Sequence, residues 1–316
     1  MMSDMNMFNR NDSFRLMDFH YSPAVKMTFF SILLNAYSIT VLGNIVIIFI
    51  ISTDKHLHTP MYFFLINLSI LDILVTSTIT PKFLSLLANG NGVISYAGCM
   101  IQCYSFFFLG STQVIILAVM SFDRFMAICH PLRYMAVLSP KLCLYLALGS
   151  WAFAFMDTIA PTILVVQLTF CGSNRINHFF CDVEQLLKLA CTDTQYLNLL
   201  NFMLSAVIVF GSLIFIIVSY VNIIIAILKI SSSGGRGKSF TTCSSHLLVV
   251  FIFYVSTAFM SSRSIKSYYV DFNKLAIILN SIVTPLLNPF IYTLRNEQVK
   301  RAVKSFLCRQ IYSNET

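Results

Sequence analysis

Long stretches almost free of charge alternate along this chain with short polar clusters. A spanning helix needs about 20 mostly apolar residues to cross roughly 30 Å of hydrocarbon, so each stretch predicts one. Met27 to Thr53 is the first; the polar segment before it is too long and too acidic for a signal peptide and has no small-residue cleavage site, which predicts a retained helix. The second runs from about Met61 to Leu87, interrupted by Asp72 and expected to break near Pro81. Phe83 to Phe122 carries no charge, and the turn-rich Asn89, Gly90, Asn91, Gly92 must split it, so that a third helix begins near Tyr96. Leu142 to Val166 is the fourth, with Trp151 and Asp157 inside it; Thr194 to Leu228 holds the fifth, Ser239 to Ser262 the sixth and Leu275 to Leu294 the seventh. Asn296 to Arg309 sets Val299, Val303, Phe306 and Leu307 on one face and Lys300, Arg301 and Lys304 on another, the pattern of an amphipathic helix on the membrane surface. The expected fold is an all-α membrane protein: an outer segment over residues 1–26, a seven-transmembrane helix bundle over 27–295, and a surface helix and tail over 296–316.

Composition excludes the soluble alternatives. The 316 residues are 57% hydrophobic and only 11% charged, and a soluble surface needs far more charge. The net charge of +8 lies in short clusters between apolar runs, which fits membrane topology and not a nucleic-acid face. With the amino terminus outside, the inner segments hold twelve basic residues against four acidic, and the outer ones nine against seven. The positive-inside rule therefore puts the amino terminus outside, at the plasma membrane. The sequon at Asn11 agrees, since it falls on the glycosylated side; those at Asn67 and Asn314 fall in a helix and inside the cell. Nine cysteines include no CxxC pair, so neither a zinc ribbon nor a dithiol redox site is indicated, and no metal or cofactor is expected.

The motifs narrow the class. Gly43-Asn44 lies in the first helix, LHTPMYFFL follows at Leu57 to Leu65, LSILD at Leu68 to Asp72, and SFDRFMAICHPLRY at Ser121 to Tyr134. Ser219-Tyr220 ends the fifth helix, GKSFTTCSSHL spans Gly237 to Leu247, and PLLNPFIYTLRN spans Pro285 to Asn296. In this order and at these helix ends, they resemble the vertebrate olfactory receptors of the rhodopsin-like superfamily, from about Gly43 to Arg309. The resemblance implies an odorant-type G-protein-coupled receptor and not an enzyme. Its partners would be a small ligand, the bilayer and a stimulatory-type G protein that raises cyclic AMP.

It also implies roles residue by residue. Asn44, Asp72 and Asn288 are polar groups in apolar helices, which should converge inside the bundle either as hydrogen-bonded glue or as a relay that rearranges on activation. Asp123-Arg124 would hold the resting state and later meet the G protein; a weak surface ion pair is the plainer reading. Tyr220, His246 and Tyr292 would border the G-protein cleft, with Pro289 bending the seventh helix; the plainer readings are packing tyrosines and a buried, hydrogen-bonded core histidine. Four cysteines, Cys99, Cys171, Cys181 and Cys191, face the oxidising side, and sequence alone allows three pairings. The family pattern implies Cys99 with Cys181 and Cys171 with Cys191. Cys103 reads as an inert small hydrophobe and Cys308 as a free thiol or a palmitoylation site.

Counting from the motif residues, the ligand should meet Phe106, Phe107, Gly110, Ser111, Ser205, Ile208, Val209, Tyr254, Thr257 and Ala258. Apolar walls with a few hydroxyls suit a small, mostly apolar molecule. No acid occupies the outer half of the third helix, which argues against an amine clamped there. Gln113 stands where most family members carry glutamate, leaving one negative charge fewer beside Asp72 to hold a sodium ion. Asp157 should point inward, either bonded to Ser111 or Ser205 or forming a polar end of the ligand site. A transporter would show broken-helix repeats, and an intramembrane protease a metal motif or two facing aspartates; neither is present in the sequence.

Overall fold

In hydrocarbon every backbone N–H and C=O must be paired within the segment, so the apolar stretches have to be helical. The computed structural model describes residues 13–17, 22–171, 173–229, 233–261, 274–295 and 299–302. In it α1 spans Pro23–Thr53, α2 Pro60–Asn89, α3 Tyr96–Cys129, α4 Tyr134–Val137 and α5 Pro140–Gln167. Then come α6 at Val183–Lys188, α7 at Gln195–Leu228, α8 at Ser233–Ser261 and α9 over residues 274–295, the last with a π-helical turn at Leu279–Val283. Six of these helices are long and apolar enough to cross a membrane, and α8 adds the shorter apolar run His246–Ala258. Of the surface helix proposed after Asn296, only residues 299–302 are described, and they are helical.

The burial pattern is that of a protein dissolved in lipid. Phe202, Val207, Phe210, Ile214 and Val218 of α7 are exposed, whereas Asn44, Asp72, Thr76, Gln113 and Asn288 are buried. A water-facing surface would carry such an apolar stripe only as a liability.

The break expected at Pro81 does not occur; α2 runs through it. A proline withholds one N–H and crowds the carbonyls of the preceding turn, and such a helix survives when neighbours satisfy them. Here the Gln102 side chain on α3 donates to the Thr78 carbonyl at 2.9 Å. Pro289 inside α9 is handled in the same way: Asn44 Nδ2 donates to the Pro285 carbonyl, one turn back, at 3.4 Å.

Two compact units divide the chain: residues 1–37, 74–112 and 151–208 form one, and 38–73, 113–150 and 209–316 the other. The first holds elements that the apolar pattern gives no hint of. Strands β1 (Ser13–Leu16), β2 (Val93–Ser95) and β3 (Arg175–Ile176) form a sheet in the order β2-β1-β3, with β1 antiparallel to β2 and parallel to β3. Phe14 and Leu16 alternate into the interior, where Phe14 meets the rings of Tyr96 and Phe170 at 6.1 and 5.5 Å. Gly92 is required beside this strand, because a Cβ there would run into the Leu16 carbonyl oxygen.

Candidate functional site

Within the first unit, two disulfides fix the segment between α5 and α7. Cys99, in the first turn of α3, is bonded to Cys181 with Cα atoms 5.3 Å apart, and Cys171 to Cys191 at 5.4 Å. Gln102 completes the clamp, since its Oε1 accepts the Cys181 N–H at 3.0 Å while its amide holds α2. The clamped loop drives aromatic rings onto the helices: Phe180 packs 5.0 Å from Phe106 of α3, and Phe179 stacks at 4.5 Å on Phe83 of α2. All four rings are buried.

Asp182, directly after the bridged Cys181, escaped the sequence reading. It precedes α6 and is only 6% exposed, and its Oδ2 meets no hydrogen-bond donor among the described residues. Burial pushes its carboxyl up to about 6 and Glu184 adds to the effect, while the backbone N–H groups of Gln185 and Glu184 and the Lys188 charge oppose it. The signal available in the sequence was an acid beside a loop cysteine, which looks like any solvated loop charge.

The expected ligand-contact residues are distributed unevenly. Phe106 is buried against Phe107 and Phe180, whereas Phe107, Gly110 and Ser111 are half-buried. Ile208 and Tyr254 are buried, and Val209 and Thr257 half-buried. The Tyr254 hydroxyl donates to Ser212 Oγ at 2.6 Å. Ser205 and Ala258 are exposed. Counting from motif residues sets depth along a helix but not direction around it. Asp157 is half-buried beside exposed Phe153 and Met156, and no hydrogen bond to it, from Ser111, Ser205 or any other group, exists among the described residues.

The second unit contains a buried polar set. Asp72 accepts from Gln113 Nε2 on one oxygen and from Asn288 Nδ2 on the other, each at 2.9 Å, so three helices meet on one carboxylate. Gly43 lets α1 approach α9: a Cβ at that position would stand 3.3 Å from the Pro289 ring. Asn44, its neighbour, also donates to the Thr40 carbonyl at 2.9 Å.

At the end of α3, Arg124 lies 3.5 Å from Asp123, and both are buried, unlike a weak surface pair. Tyr134, the first residue of α4, donates its hydroxyl to Asp123 Oδ1 at 2.7 Å. Burial raises the Tyr134 pKa above its ordinary value, and the Asp123 charge adds to this, so the hydroxyl keeps its proton for that bond. Tyr134 belongs to the quoted motif, yet only the fold shows that the turn after His130 folds back onto Asp123. Tyr220 Oη and His246 Nδ1 are joined at 2.7 Å, linking α7 to α8. Tyr292 belongs to α9, but its side chain, like Asn11 and Cys308, lies outside the described residues. No cluster of three or more His, Cys, Asp or Glu able to hold a metal ion is found among the described residues.

Comparison with known proteins gives one family throughout. The olfactory receptor family model matches residues 33–310. Human olfactory receptor 6J1 is 46% identical over 94% of this chain and 85% of its own length. Rat olfactory receptor 287 is 47% identical, over 92% of this chain and 94% of its own. In structure, squid rhodopsin superposes with a TM-score of 0.72 at 16% identity, over 90% of this chain and 81% of that one, a likeness of fold.

Proposed function

Because this chain belongs to the olfactory receptor family of G-protein-coupled receptors, we propose that it binds a small, mostly apolar ligand and activates a stimulatory-type G protein to raise cyclic AMP. The amino terminus and the disulfide-bonded loop face the extracellular side, in keeping with the basic inner segments and the need of the disulfides for an oxidising compartment. The ligand lies beneath that loop, along the Phe106 to Ser111 stretch of α3. The inner end of α3 carries the switch.

The observation that carries this reading is the buried Asp123–Arg124 pair capped by Tyr134, beside the Tyr220–His246 bond. A ligand shifts a two-state equilibrium only by binding one state better than the other. Signal transfer therefore consists of favouring the state in which the inner end of α8 swings away, His246 leaves its present place and Arg124 is freed to meet the G protein. No chemistry on the ligand is needed. The test is agonist-stimulated cyclic AMP in cells expressing Arg124→Ala at wild-type surface density. The response should be lost, and a response equal to wild type would overturn the mechanism. Stimulation through another G-protein class in the wild type would overturn the coupling alone.

A further inference from the structure

We propose that the exposed face of the three-stranded sheet, through the side-by-side guanidinium groups of Arg15 and Arg175, docks a sulfated polysaccharide outside the cell. The inference goes beyond the ligand and coupling reading above and rests only on the orientation given there.

Strand alternation decides which side chains share this face. β1 turns Phe14 and Leu16 inward, so Arg15 points the other way. The parallel pairing sets Arg15 opposite Arg175 and Leu16 opposite Ile176; the two apolar partners are buried and the two arginines exposed. Two backbone bonds pin the register, from the Arg15 N–H to the Asn174 carbonyl at 2.8 Å and from the Met17 N–H to the Ile176 carbonyl at 2.9 Å. Neighbouring strands lie about 4.8 Å apart, so two full positive charges are rooted side by side. Like charges directly across a ladder destabilise it unless something answers them. On the other flank of β1, Val93 stands opposite Arg15, and its carbonyl accepts from the Lys82 ammonium group. A carbonyl dipole orients that ammonium without neutralising it. Among the described residues no carboxylate pairs with any of the three cations, and neither guanidinium has a side-chain hydrogen bond.

This arrangement selects its partner. Guanidinium forks take the oxygens of sulfate or carboxylate two at a time. One small anion on exposed charges in water gains little. A chain carrying an anion on every unit gains from all contacts at once and releases its condensed counterions. An acidic protein surface would need an apolar centre to seat on, and Val93 is the only exposed apolar side chain of the three strands. Outside the cell, the flexible polyanion that fits is a sulfated polysaccharide.

The experiment uses the full chain on intact cells that make no sulfated polysaccharide of their own, probed with fluorescent heparin. An amino-terminal tag stained without permeabilisation reports surface density and orientation. Heparin is expected to bind the wild type. Arg15→Gln combined with Arg175→Gln should raise its Kd roughly five- to thirtyfold at equal density, the weight of two exposed ion pairs. In isosmotic buffers the slope of log affinity against log salt should fall by roughly one to two. Arg15→Lys with Arg175→Lys keeps both charges and should retain that slope, even if the glutamine variant reaches the surface poorly. Lys26→Gln with Lys188→Gln removes the same charge elsewhere on the outer side; an equal loss there would make net charge responsible and overturn the site. Heparin bound equally by wild type and the arginine-to-glutamine variant, or desulfated heparin bound as well as heparin, would also overturn it. Polyglutamate bound in place of heparin would transfer the face to an acidic protein and sink the polysaccharide. A tag hidden until the cells are permeabilised would overturn the orientation, whereas an exposed tag with no heparin bound would overturn this proposal alone.

Discussion

Replacing Gln113 with methionine keeps the side chain's length and bulk but removes the amide N–H that reaches Asp72 Oδ1 at 2.9 Å. Asp72 is fully buried and Gln113 is 3% exposed, so bulk water has no path to replace the donor. Leaving a buried acceptor without its donor costs about 1–3 kcal/mol. Against a total stability of about 5–15 kcal/mol this is a large share. The midpoint of thermal unfolding should fall by roughly 3–10 °C. The assay is thermal unfolding of detergent-purified receptor followed with a thiol-reactive dye, for which the buried Cys103, Cys143 and Cys243 act as reporters. The decisive arm is a double-mutant cycle with Asp72→Leu. In that background the Gln113 amide has lost its acceptor, so Gln113→Met should be neutral or stabilising, giving a coupling of at least about 1.5 kcal/mol. Equal destabilisation in both backgrounds would mean that the amide matters through packing alone, and the three-helix junction on Asp72 would be refuted.

Gly43→Val should lower surface delivery severalfold, and Gly43→Ala only slightly, because the smaller side chain asks the Pro289 ring to yield by tenths of an ångström; equal delivery of both variants by flow cytometry would contradict the close approach of α1 and α9. Loss of Cys99 or Cys181 should abolish ligand response, and non-reducing peptide mapping of the wild type should find those two joined; a peptide linking Cys99 to Cys171 or Cys191 would refute the pairing.

The helices were legible because a membrane span writes itself as one long, local, charge-free run, and their ends fell within a few residues of the expected places. The polar junction was legible for a related reason: Asn44, Asp72 and Asn288 are anomalies in apolar surroundings, and anomalies of that kind have to meet each other. What was hidden depends on partners far away in sequence. The alternation in Ser13–Leu16 is four residues long, and its partners lie about 80 and 160 residues further on. Pro81 signals a break locally, and the bond from Gln102 to the neighbouring Thr78 carbonyl comes from another helix. Asp182 sits in a loop where a polar residue is ordinary and only its burial sets it apart, while Tyr134 is marked out only by its bond to Asp123.

The strand β1 also sets an order of events during synthesis. Ser13–Leu16 leaves the ribosome first, yet it pairs with Val93–Ser95 and Arg175–Ile176 and cannot settle until both have been made. At about 5–20 residues per second the delay is roughly ten to thirty seconds. The strand closes over Gly92 only after that interval. Strand β1 is thus held by backbone pairing that a truncated chain lacking the segment after α5 could not complete.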